Sequence, residues 1–89
     1  MAERTDEHII GRLIERSRLL IAISEEIPVE TKLQAQPLLK QLEQALAVPL
    51  AEQDAGRIRA TYAALYGEVA DYADLEALLS ALKTFVPCL

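Results

Sequence analysis

His8 is the only histidine and Cys88 the only cysteine in this chain, so catalytic or metal chemistry would have to be built around them or around carboxylates. A metal site on a helix needs a second imidazole or a carboxylate four positions away. The positions four away from His8 hold Arg4 and Arg12, which repel a cation. Nucleophilic catalysis needs a base beside the hydroxyl or thiol. Ser17, Ser24 and Ser80 have only His8 to serve them, and Cys88 stands between Pro87 and Leu89 with no base beside it. Gly11, Gly56 and Gly67 are isolated, so no glycine-rich loop exists to hold phosphate. Carboxylates cluster at Glu25, Glu26 and Glu30 and again at Glu68, Asp71 and Asp74. Acid–base work needs carboxyls in a concave pocket with separated pKa values, whereas these fall at expected helix ends, where they cap and solvate. The residues therefore predict no catalytic site, no metal and no cofactor.

The stretch Glu7-His8-Ile9-Ile10-Gly11 resembles a phosphotransfer helix, in which an exposed mid-helix histidine has a basic residue and a glycine close by. That resemblance implies His8 as a phosphoacceptor. It covers only this stretch, and Ile10 stands where the lysine belongs. A helix starting at Asp6 would also put His8 in the first turn rather than at mid-helix. A phosphotransfer-like signalling bundle is thus the alternative reading, beside an apolar-ligand carrier that would need a closed cavity.

The arginines Arg12, Arg16, Arg18, Arg57 and Arg59 are interleaved with acids, and the net charge is −5. A nucleic-acid surface needs concentrated positive charge, usually with aromatics or an inserted helix. Neither is present, so no nucleic-acid partner is expected. Arg12 and Arg16 share a face. Arg16 interrupts the apolar seam of helix 1, so it either snorkels to the bundle edge or meets a carboxylate across an interface.

One pattern points outward. Gly56, Ala60, Ala63, Gly67 and Ala70 repeat at steps of four and three, and every side chain is small. Glycine inside a soluble helix costs about 1 kcal/mol relative to alanine, so something should offset it. Small residues in register let another helix backbone approach closely. The occupant is either helix 1 or helix 2 of the same chain, or a helix of a second chain. Tyr62 and Tyr66 flank the stripe, and tyrosine suits interfaces because its ring buries while its hydroxyl stays wet. The expected interface residues are Gly56, Ala60, Tyr62, Ala63, Tyr66, Gly67 and Arg16.

The elements that position these residues follow from hydrophobic spacing and from proline. No segment alternates with period 2, so no strand is expected. Helix 1 should run from Asp6 to about Glu25, capped by Thr5. Its main seam would be Ile9, Leu13, Leu20, Ile23 and Ile27, with Ile10, Ile14 and Ile21 beside it. Two stripes imply two neighbours and a central place in the bundle. Pro28 ends helix 1 or starts a short helix from Val29 to Gln36, with Pro28 at its first position, and Pro37 breaks or kinks the chain. From there to Val48, Leu39, Leu42 and Leu46 line one face. Helix 3 should run from Leu50 or Ala51 to Ala70, with Ala51, Ala55, Ile58, Tyr62, Leu65, Val69 and Tyr72 at heptad spacing. Asp71 or Asp74 can cap a fourth helix carrying Leu75, Leu78, Leu79, Leu82, Phe85 and Val86. No glycine or proline separates helices 3 and 4, so a single helix over 51–86 is an alternative.

The chain has 89 residues, of which 52% are hydrophobic, above the roughly 45–50% usual for soluble domains. A single domain this small buries only about 60–65% of its unfolded surface, so its surplus of Leu, Ile and Ala should meet a partner or a ligand. A lone cysteine fits a reducing, cytoplasmic setting, the polar opening residues are unlike a secretion signal, and no apolar run spans a membrane. The expectation is an all-α, three- to four-helix bundle. It would act as a non-enzymatic interaction module of adaptor, accessory-subunit, chaperone or inhibitor type. Its partner is another protein chain, a second copy or a heterologous one.

Overall fold

The computed structural model describes the backbone from Ala2 to Leu89 and the side chains from Glu7 onward. It contains helices α1 (Ala2–Ile23), α2 (Val29–Leu46), α3 (Ala55–Val69) and α4 (Ala73–Phe85), with a 3₁₀ turn at Leu50–Glu52 before α3. No strand occurs among the described residues. α1 packs on α4 and α2, α2 on α3, and α3 on α4, so the helices ring one core in chain order. This is a small all-α four-helix bundle.

The core is aliphatic. Ile14 and Ile21 of α1, Ala35, Leu39 and Leu42 of α2, Ile58, Leu65 and Val69 of α3, and Leu75, Leu79 and Leu82 of α4 are all buried. Their spacings of three, four and seven set each helix's inward face. Ile27, in the connection between α1 and α2, is buried as well and anchors that turn to the core.

Several boundaries differ from the sequence expectation. α1 begins at Ala2, so Thr5 lies inside the helix; its side chain is outside the described set. The inward stripe of α1 is Ile10, Ile14, Ser17 and Ile21, with Leu13 and Leu20 half-buried beside it. The seam expected to be primary does not face inward as a whole: Ile9, Leu13 and Leu20 are half-buried and Ile23 is largely exposed, and only Ile27, beyond the helix, is buried. Ser17 is tolerated at the core because its hydroxyl donates to the Leu13 carbonyl one turn back at 2.8 Å. Nor is α1 central: every helix has two principal neighbours, and the most extensive packing joins α2 to α3.

Pro37 does not break the chain. α2 is continuous from Val29 to Leu46, with Pro37 inside it on the exposed side. The ring removes the bond to the Leu33 carbonyl, which lies toward solvent, while Ala35, Leu39 and Leu42 pin both sides of the proline to the core. Pro28 is the residue before the helix rather than its first position, and its carbonyl accepts the Lys32 N–H at 3.0 Å.

α3 and α4 are separate. The chain turns at 70–72, where the Tyr72 N–H bonds to the Val69 carbonyl at 3.0 Å. Neither Asp71 nor Asp74 caps α4: Tyr72 stands at its cap without a side-chain bond, and Asp74 sits in the first turn. α3 starts at Ala55, later than the spacing predicts. Asp54 accepts the Arg57 N–H at 3.1 Å, which separates α3 from the 3₁₀ turn and leaves Ala51 exposed.

Candidate interaction surfaces

The expected small-residue stripe lies on the side of α3 opposite Ile58, Leu65 and Val69. Gly56, Ala60, Ala63 and Gly67 are all exposed, and Ala70 is half-buried. Neither α1 nor α2 fills the stripe. A methyl group added at Gly67 would meet no atom within 4 Å, and one at Gly56 would meet only Asp54 Oδ1, at 3.5 Å. The intramolecular occupant expected as one option is therefore absent, and the face is open.

Tyr62 and Tyr66 turn away from this face toward α4. Their rings stack at 6.0 Å between centroids. The Tyr62 hydroxyl donates to the Leu79 carbonyl at 2.6 Å, and Tyr66 donates to Glu76 Oε2 at 3.0 Å. These contacts pair positions 62 with 79 and 66 with 76, so α3 and α4 run antiparallel. The bulk of the tyrosines holds the two helices apart. A shallow groove results, lined by Ala63, Gly67, Arg59, Ser80, Lys83 and the tyrosines. The structure thus joins Tyr62, Ala63, Tyr66 and Gly67 in one groove. Arg16 is not part of it: it is exposed on α1.

Ser80 adds a second donor to Glu76 Oε2 at 2.6 Å. The Ser80 and Tyr66 hydroxyls stabilise the Glu76 carboxylate and push its pKa below the ordinary carboxylate value. The bond to Glu76 raises the Tyr66 pKa above the ordinary phenol value. Burial does the same to Tyr62, aided by the nearby Tyr66 and Glu76. The bonds from Tyr62 to Leu79 and from Tyr66 to Glu76 tie α3 to α4, so the cluster braces the two helices.

The candidates weighed from sequence are dispersed. His8 is exposed in the second turn of α1, not the first, because the helix starts earlier than Asp6. Cys88 is half-buried and packs against the core. Among the described residues no three His, Cys, Asp or Glu side chains converge as metal ligands.

A different surface was not anticipated. Leu19, Ile23, Val29 and Leu33 are exposed to 58%, 63%, 70% and 65%. They flank the connection between α1 and α2 within about one turn of it, so they crowd one end of the bundle. That connection is firmly built. Ser24 Oγ accepts the Glu26 N–H at 3.3 Å, and Lys32 Nζ donates to the Ala22 carbonyl at 3.2 Å, closing the end of α1. One sequence signal could have found this surface. Arg12 and Arg16 lie on a single helical stripe with Leu19 and Ile23, and two arginines on a stripe turn it toward water.

At the opposite end, an open groove of about 770 Å³ lies between the start of α1 and the ends of α2 and α4. Ile10, Ile14, Leu46, Phe85 and Val86 line it, with Glu7 and Glu43 at its edge. Val48 and Leu50 of the α2–α3 connection form its outer rim and are themselves exposed. It is a cleft and not the closed cavity that a carrier of apolar ligands requires.

Set against protein-family models, curated proteins and solved structures, the chain matches none of them. No helix among the described residues is long and apolar enough to cross a membrane.

Proposed function

We propose that this chain is a non-enzymatic interaction module that binds another protein chain by helix packing. The observation that carries the reading is the set Leu19, Ile23, Val29 and Leu33, four large aliphatic side chains left in water at one end of the bundle. Burying a side chain of this size is worth roughly 1.5–3 kcal/mol. Single exposed apolar residues are ordinary on protein surfaces, but a concentration of them is a mark of binding. The open small-residue face of α3 is a second, flatter surface of the same kind. The lone Cys88 thiol suits a reducing compartment such as the cytoplasm.

The test is site-specific photo-crosslinking in cells that make the protein. A photoreactive side chain at Leu33 should give adducts of discrete mass that disappear when Ile23→Glu is added. The same probe at Ala60 reports on the α3 face. If neither position yields a discrete adduct, the chain does not work by binding protein.

A further inference from the structure

We propose that the partner is a second copy of this chain, packed antiparallel along the outer stripe of α1; this rests on the interaction reading above. The stripe is Arg12, Arg16, Leu19 and Ile23, all exposed. It lies on the side of α1 opposite Ile14, Ser17 and Ile21. Its steps of four, three and four are those of a coiled-coil seam. They read the same from either end, so a two-fold axis across the helix sets Arg16 against the partner's Leu19 and Arg12 against the partner's Ile23. A two-fold interface requires such self-complementarity.

The charges select this arrangement. Arg18 is already paired with Glu15 and Glu43, but among the described residues Arg12 and Arg16 form no ion pair. The exposed carboxylates Glu25 and Glu26 lie in the connection just past the end of α1, after Ser24. The outer stripe therefore runs from cationic to apolar along α1 and leads into an anionic connection. Antiparallel pairing lays the arginine stems over the partner's leucine and isoleucine. It also brings the Arg12 guanidinium toward the partner's α1–α2 connection, which carries Glu25 and Glu26. Parallel pairing would put arginine on arginine and carboxylate on carboxylate. Charge complementarity of this kind fixes register and rejects the wrong orientation.

The experiment is sedimentation velocity on the whole chain from low micromolar to near-millimolar concentration, with helicity checked by circular dichroism. The wild type should move toward twice the monomer mass of 9.8 kDa as concentration rises. Leu19→Glu should stay monomeric at unchanged helicity, because Leu19 is outside the core. Arg12→Glu should weaken dimerisation by roughly tenfold, and adding Glu26→Arg to it should restore most of the loss. A wild type that is monomeric throughout overturns the second copy, while the crosslinking at Leu33 decides separately whether the chain binds any protein. A dimer indifferent to Leu19→Glu, or a charge swap without rescue, also overturns it.

Discussion

At the residue scale, the clearest device is Glu76, which accepts hydroxyl hydrogen bonds from Tyr66 on α3 and Ser80 on α4. Both bonds favour the charged form, so the carboxylate titrates below its ordinary value in the folded state. A depressed pKa means the brace contributes stability above the unfolded carboxylate pKa and loses it as pH falls through the folded value. Ser80→Ala should raise the Glu76 pKa, read by carboxyl NMR titration; an unmoved value would show that the serine bond does not form in solution. Gly67 offers a second test. It lies in the interior of α3 with open space where a side chain would go. Gly67→Ala should therefore stabilise the isolated chain by about 0.5–1 kcal/mol in urea unfolding. A loss of stability instead would mean that another backbone rests against this face.

At the scale of elements, α2 shows tertiary packing overriding a local breaker. Proline inside a helix costs about 3 kcal/mol or more, yet α2 runs through Pro37 unbroken. Its buried residues on either side, Ala35, Leu39 and Leu42, hold the helix in place. Pro37→Ala restores an N–H donor to the Leu33 carbonyl and should stabilise the fold by about 1–3 kcal/mol, less than the intrinsic penalty because proline also restricts the unfolded chain. A drop in thermal midpoint would contradict the straightforward reading of that site. The end of α1 shows the reverse case. There Leu19 and Ile23 have good helical spacing, but no neighbouring helix covers them.

At the scale of the whole molecule, one aliphatic core joins all four helices. Leu42 is fully buried on α2, which packs on both α1 and α3. Leu42→Ala should cost about 2–5 kcal/mol, through lost burial and the cavity left behind. For a domain of this size the unfolding should stay a single transition by both circular dichroism and tyrosine fluorescence. Two separated transitions would mean that the α1–α4 and α2–α3 pairs melt independently. A dimer seated on the outer face of α1 would leave this core untouched, so core and interface variants should act independently.

Periodicity, proline and composition by themselves determined that the chain is all helical. They also determined which leucines and isoleucines of α2, α3 and α4 face inward, because a helix must bury its apolar stripe somewhere. They identified the small face of α3. They did not decide which of two adjacent stripes on α1 points inward. Ile9 and Ile23 are as apolar as Ile14 and Ile21, so apolarity alone does not distinguish them. Nor did sequence show that Tyr62 and Tyr66, besides lining the groove, brace α4, since their partners Glu76 and Leu79 lie on another helix. The exposed end of the α1–α2 hairpin belongs to the same class. Its side chains look like core residues one by one; on α1 the two arginines sharing their stripe turn them toward water, and on α2 only the arrangement of the bundle leaves them there.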